Sequence, residues 1–297
     1  MTTNKSETAA LTVSAQKVDH AQRIKNNIPG FILNFCLLFL TVVMLAPFAW
    51  VISTSLRSPL DSFRMPPSFL PTDFQYQNYI TLFSTFPFAT FIANSIRVAV
   101  VVVFANILVT TMAAYSFARI PFRGKGIVFM CVIAGLMVPI HATLVPQYII
   151  VAQMGMVGTH WALILPAIVS PLNIFFVRQH MMTIPRSYED AAYIDGAGHF
   201  RIYSQIFIPM STNVIIMTSI LSFLASWNAF IQPLIYIRRW EMMTIPLGMT
   251  FLSGRMGQGN VAVVLAGVVT SLVIPTTLYL LGQKHIMKGV ALTGLKS

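Results

Sequence analysis

Apolar residues along this chain come in long unbroken blocks separated by short polar stretches. Crossing roughly 30 Å of hydrocarbon takes about 20 residues at 1.5 Å of helical rise, and six blocks meet that need. They are Phe31–Thr54, Asn94–Tyr115, Gly126–Ile150, Trp161–Val177, Ser211–Leu234 and Val261–Leu281. The fourth is short and carries Pro166, Ser170, Pro171 and Asn173. Prolines there free backbone carbonyls, which hydrocarbon cannot satisfy, so this span is expected to pack among neighbours. Pro139 and Pro146 predict a kink in the third block. Residues 1–30 are polar and end at Pro29-Gly30, which reads as a tail. The block that follows is too long for a secretory signal core and is read as a retained first span. The remaining polar segments are 55–93, 178–210 and about 235–260, and no repeat of 20–50 residues is visible.

Composition sharpens this picture. Of 297 residues, 56% are hydrophobic and 9% charged, against about 25% charged in an ordinary soluble domain. Mean hydropathy is +0.74. A soluble fold could not hide that much apolar surface, and a disordered chain would not carry it. The expected solvent is the lipid bilayer. Net charge is +11, yet the basic residues sit in short groups between apolar runs rather than in a solvated patch suited to nucleic acid.

Those basic groups orient the chain. With the N-terminus inside, the cytoplasmic segments hold thirteen Lys and Arg: Lys5, Lys17, Arg23, Lys25, Arg119, Arg123, Lys125, Arg178, Arg186, Arg201, Lys284, Lys288 and Lys296. The outer loops hold five, Arg57, Arg64, Arg238, Arg239 and Arg255, and Arg97 lies near the outer end of the second span. The positive-inside rule therefore predicts an all-α integral membrane protein with six transmembrane helices and both termini cytoplasmic.

All eight acids (Glu7, Asp19, Asp61, Asp73, Glu189, Asp190, Asp195 and Glu241) fall outside the six blocks. An ion-coupled carrier usually places an ionisable group near mid-membrane, so this distribution argues against one, although backbone carbonyls also bind sodium. No G-x-x-x-x-G-K-[ST] phosphate loop occurs, nor H-E-x-x-H, G-x-S-x-G or C-x-x-C. Cys36 and Cys131 both lie inside apolar blocks, which predicts neither a disulfide framework nor a metal site. No catalytic, cofactor-binding or metal residue is expected on this chain.

The informative segment is cytoplasmic, Ile184 to Gly198. Ser187 followed by Asp190 resembles a capping box, with Glu189 and Asp190 in the first turn where the helix dipole favours acids. Gly196 stands where a helix stops, at a position suited to positive φ. The result is a helix of about eight residues, too short to stand alone in water. It should dock on something, and Ala191 and Ala192 offer a surface that permits close approach. A second short helix is expected over Phe200–Phe207 before Pro209 opens the fifth span. Capping by itself is equally compatible with a plain loop helix lying on the membrane.

Glu189-Asp190-Ala191-Ala192, three residues, Gly196, nine residues and Ile206-Phe207-Ile208-Pro209 resemble the EAA loop of ABC-importer permeases. That pattern is E-A-A, three residues, G, nine residues, I-x-L-P. Asp190 replaces a Glu and Ile208 a Leu, both mild changes. Leu70-Pro71-Thr72, Asn78-Tyr79, Asn94-Ser95, Ala113 to Arg119, Trp227-Asn228, Pro233-Leu234 and the ending Lys288-Gly289 to Gly294-Leu295-Lys296 look like the carbohydrate-uptake branch. Within it the chain is similar to the six-span subunit of the maltose-transporter type.

The resemblance implies an ABC type I importer permease fold over 31–297, with the cytoplasmic coupling loop at 178–210, in a bacterial inner membrane. It implies a second homologous permease, two cytoplasmic ATPase subunits that hold the ATP and magnesium, and an extracytoplasmic solute-binding protein. Glu189, Asp190, Ala191, Ala192 and Gly196 would form the ATPase-docking helix, with Ile206 and Pro209 anchoring it to the fifth span. The ending near Val290–Leu295 would reach between the ATPases, and the outer loop around 238–259 would face the binding protein. The implied function is ATP-driven import of a sugar or oligosaccharide by alternating access. Import of a sugar phosphate or polyol, an ion-coupled secondary carrier, and an assembly subunit with no pathway stand as alternatives.

Asn173, Trp227, Asn228 and Gln232 are candidates to line a sugar path, because sugars are held by aromatic stacking and paired hydrogen bonds. Helix–helix hydrogen bonding and an interfacial aromatic belt account for the same residues. Arg97 is expected to snorkel to the outer headgroups. His141 is expected to be a satisfied buried polar group.

Overall fold

A computed structural model describes residues 33–58, 61, 71, 73–256 and 260–294, with the side chains of 255–256 and 286–294 excepted. The expected tail over residues 1–30 lies outside the described residues, as does Leu295 at the expected C-terminal reach. No strand occurs among the described residues.

Among the described residues, four helical stretches are long and apolar enough to cross a membrane: α1 (Leu33–Ser55), α3 (Phe88–Ala118), the stretch Trp161–Thr183, and Val261–His285. Two bent pairs complete six passages, Lys125–Met137 with Ile140–Gln153 and His199–Met210 with Thr212–Trp227. Between α1 and α3, α2 (Gln77–Thr85) packs against α3 and the last of the four stretches, Val261–His285. The six passages match the six apolar blocks, and their breaks follow from local chemistry.

The third passage consists of α4 (Lys125–Ala134) and α5 (Leu144–Gln153), joined by two 3-10 turns and bent by 101°. Pro139 excludes the helical region for Val138, whose φ of −82° and ψ of 119° are extended. Pro146 causes no kink, because it sits in the first turn of α5, where an amide has no helical partner to lose. His141 stands exposed on the turn between the two halves, which corrects the expectation of a buried group.

The fourth passage divides into α6 (Trp161–Ala167) and α7 (Pro171–Thr183). Pro171 at the first helical position forces Ser170 to φ −121° and ψ 107°, and the Ser170 hydroxyl caps the helix by accepting from the Asn173 amide at 3.3 Å.

The loop helix α8 (Ser187–Ile194) leads to the single-turn α9 (His199–Ile202), then a π-turn (Tyr203–Phe207) and α10 (Ile208–Met210). The chain turns 79° there into α11 (Thr212–Trp227). The fifth passage thus ends at Trp227, with α12 (Ile231–Tyr236) separate from it, so the expected block to Leu234 is two helices. The last outer segment is also more than a loop. It folds into α13 (Ile245–Met256), whose Ile245, Leu247 and Leu252 are buried. Finally α14 (Val261–Gly294) crosses the membrane and continues past it.

α3 is the spine. At 31 residues it is about 46 Å long, longer than the hydrocarbon is thick. It packs against α7 and α11 along the membrane, and against α6 and α13 toward the outside. Three apolar clusters stack along it. The outer and central cluster holds Phe88, Phe91, Ala99, Phe223, Trp227, Leu252 and Ala266, and the inner one holds Ala114, Tyr115, Val177, Met181, Ile202, Phe207 and Val214. A third cluster, with Val98, Val102, Leu163, Ile164 and Tyr236, joins α3 to α6 and α12.

Candidate functional site

Polar groups tie α3 to its neighbours at three levels. Outside, the Asn94 amide donates to the carbonyls of Glu241 and Met243 at 2.8 and 3.0 Å, and the Ser95 hydroxyl accepts from the Ile245 amide at 2.8 Å. This holds the outer segment 241–245 on the end of α3. His160 Nε2 meets the Met242 carbonyl at 3.0 Å, and burial lowers the His160 imidazole below its ordinary pKa. A neutral ring then donates that bond.

At mid-membrane sits Asn106, which is 2% exposed. Its Nδ2 donates to the Ile168 carbonyl at 2.7 Å, the group freed by the break between α6 and α7. Its Oδ1 accepts from Asn173 Nδ2 at 2.8 Å and from Ser222 Oγ at 2.9 Å, while Asn173 Nδ2 also donates to Ser222 Oγ at 2.7 Å. Three helices are thereby joined without a charge. The expected packing of the broken fourth span among neighbours is met by this knot.

Beside the knot lies a cavity of about 450 Å³ bounded by α3, α5 and the turn before it, α6, α7, α11 and α12. Its polar lining comes from Thr143, Gln147, Ser170, Asn173, Ser222, Ser226, Gln232 and Thr244, and no charged side chain is among the residues that bound it. Of the four path candidates, Asn173 and Gln232 border this space. Trp227 is buried, stacked on Phe223 at 5.3 Å, and Asn228 is exposed at the end of α11. Neither of these two lines the cavity.

At the inner end, α8 shows two faces. Its stop is a Schellman turn: the Ala197 amide bonds to the Ala192 carbonyl at 2.9 Å and the Gly196 amide to the Tyr193 carbonyl at 3.0 Å, with Gly196 at φ +76°. Its start differs from expectation. Arg186 is the N-cap and no side chain caps it, so the Ser187–Asp190 capping box does not form. Pro185 keeps Ile184 extended at ψ 128°, and the helix starts one residue earlier than the box requires.

Glu189 instead turns inward. Its Oε2 lies 3.4 Å from Nη1 of Arg119, and the two side chains are 11% and 6% exposed. Arg119 Nη2 donates to the Met181 carbonyl at 2.6 Å and also to that of Ile184, and its guanidinium lies 4.9 Å from the centre of the Phe207 ring. Ala192 and Ile206 pack on the inner apolar cluster, whereas Asp190, Ala191, Gly196 and Pro209 are exposed. Around Ala191 the open face carries Tyr188, Tyr193, Ile194 and, from α9, Phe200; Ile194 is 86% exposed. Burial, and then the charges of Glu189 and Asp190, raise the Tyr193 phenol above its ordinary pKa.

Residues 25–288 match the family described as the binding-protein-dependent transport system inner membrane component. The chain belongs to that family. It is 30% identical over 278 residues to the arabinooligosaccharides transport system permease protein AraQ of Halalkalibacterium halodurans, covering 93% of this chain and 99% of that one. It is 27% identical over 268 residues to the trehalose/maltose transport system permease protein MalG of Thermococcus litoralis, covering 87% and 94%. Among solved structures it resembles a chain of a bacterial ABC transporter that imports the acidic polysaccharide alginate, with a TM-score of 0.78 at 20% identity, covering 88% and 97%. The type I permease fold and the inner-membrane setting follow, and the chain is a transport component rather than an enzyme.

Two residues at the centre of these polar contacts escape a reading of the sequence. Asn106 is a lone amide inside an apolar block, which is itself the available signal. Arg119 counts there as one topological charge, although it ends the Ala113–Arg119 stretch that carries part of the family resemblance.

Proposed function

We propose that this permease moves a neutral sugar or oligosaccharide inward by alternating access, paired with a second homologous permease and driven by two ATPase subunits, one of which docks on α8. The observation that carries this reading is the two-faced α8. A helix of eight residues is marginal by itself, yet this one is clamped to the bundle on its Glu189 face and leaves Asp190, Ala191, Tyr193 and Ile194 open to a partner. ATP and magnesium belong on those partners, and nucleotide-driven closure would bias a two-state bundle through α8.

Support for the cargo comes from two directions. Relatives carry names for arabinooligosaccharide and trehalose/maltose transport. The cavity bordered by Asn173 and Gln232 has a mostly apolar wall with a few amide and hydroxyl groups and no charge, which suits hydroxyl groups and disfavours a sugar phosphate, whose dianion would be unpaired there. The outer segment held by Asn94 is the proposed contact for the binding protein.

The test is uptake into proteoliposomes that contain this chain, its partner permease and both ATPases, with ATP enclosed and no ion gradient. Sugar uptake that requires ATP and the loaded binding protein is expected. Uptake that proceeds without ATP on an imposed proton or sodium gradient would refute the reading.

A further inference from the structure

Arg119 is the cap residue of α3, its amide bonded to the Tyr115 carbonyl at 2.8 Å, so its side chain moves with that helix. From there it reaches three other elements. It donates to Met181, in the last turn of α7, and to Ile184, just beyond it, and a cation is favoured at such a helix end. It pairs with Glu189 in the first turn of α8. It also lies against the face of Phe207, in the π-turn that leads into α11. A guanidinium suits such a joint, because its planar fork serves several acceptors at fixed angles and keeps its charge when buried.

We infer that Arg119 is the positioning residue that passes displacement of α8 into the transmembrane bundle, with Glu189 as its counterpart and Asp190 left as the acid that faces the partner. This inference rests on the reading of α8 as the ATPase-docking helix. Apart from the pair, α8 is attached through the chain at residues 184–186 and 195–198, through the packing of Ala192 and Ala197, and through the Tyr193 hydroxyl, which lies 2.9 Å from His199 Nδ1 in α9. Those attachments hold the helix near the bundle but do not fix its orientation against α3. Removing one member of a buried pair leaves the other uncompensated, so either change loosens the same joint.

The experiment uses the complete transporter in proteoliposomes and measures sugar transported per ATP hydrolysed, normalised to ATPase subunit content. Arg119→Gln and Glu189→Gln are each expected to lower that ratio by about tenfold, within the usual range of coupling between sites. The double variant is expected to be no worse than the single ones, since both break one joint. Arg119→Lys keeps the charge without the fork and should fall in between. A purely structural role would lower the amount of assembled complex and leave the ratio unchanged. A ratio within twofold of the unaltered protein in Glu189→Gln, the near-isosteric change, overturns the inference even if Arg119→Gln fails to assemble. Failure of the unaltered protein to retain ATPase subunits would overturn the docking reading itself.

Discussion

Replacing Asn106 with alanine tests how the broken fourth passage is held inside the membrane. The change removes three short bonds of 2.7, 2.8 and 2.9 Å, to the Ile168 carbonyl, Asn173 and Ser222, and a long one of 3.4 Å from Thr110. Side-chain hydrogen bonds between membrane helices average about 0.6 kcal/mol and reach about 1.7 kcal/mol. Three of them give a loss of about 2–5 kcal/mol. The upper half of that range is expected, because the Ile168 carbonyl lies at the break between α6 and α7 and has no helical partner there. Thr110→Val is the internal control, since it removes one long bond of 3.4 Å to the same Asn106 oxygen and should cost less than about 0.5 kcal/mol. Unfolding of the purified transporter in detergent, titrated with increasing SDS, measures both. A loss below about 0.5 kcal/mol for Asn106→Ala, or equal losses for the two variants, would refute the assignment of the knot as the support of this span.

Further outcomes follow from single positions. A Cβ at Gly248 would lie 2.6 Å from Cε2 of Phe91, so Gly248→Ala should destabilise by about 1–3 kcal/mol. Gly254→Ala, with nothing within 4 Å in the same helix, should stabilise by about 0.5–1 kcal/mol, and melting of the two proteins checks both. At Gly196 the space is open but φ is +76°, so Gly196→Val should cost about 1–2 kcal/mol locally. Amide exchange in residues 187–197 should then quicken about tenfold, while Gly196→Asn should change it less. The His160 pKa is lower in the folded protein than its ordinary 6.5. The unfolded state therefore binds the proton first as pH falls, so this group adds nothing above about pH 6.5 and reduces stability progressively below it. A pH series of melting temperatures should show that acid-side loss, and His160→Gln, which keeps a donor for the Met242 carbonyl, should flatten it.

The sequence makes the six passages legible because hydrocarbon demands long apolar blocks, and proline marks the break at Pro139 through a purely local clash. Gly196 is readable for a similar reason: ending a helix in the left-handed region is a property of one residue. What escapes it depends on partners far away in the chain. The Asn106 bond to Ile168 spans 62 residues, and the pairing of Arg119 with Glu189 spans 70. The misplaced start of α8 is only partly of that kind: Glu189 follows a tertiary charge, whereas Pro185 sets the entry locally. α13 is hidden because its 12 residues are too few to signal a crossing and it begins with Ile245-Pro246 next to a loop. In the cytoplasmic motif, spacing identifies the segment, and only the folded chain separates its inward residues, Glu189, Ala192 and Ile206, from the outward ones.

The most direct measurement of the account places a photo-crosslinking amino acid at position 191 or at position 189 of the chain in the assembled transporter. Position 191 should yield an adduct with an ATP-binding subunit, and position 189 should react within this chain, near Arg119. Adducts from position 191 confined to lipid or to this chain, with nucleotide or without it, would contradict the claim that the open face of α8 receives the motor.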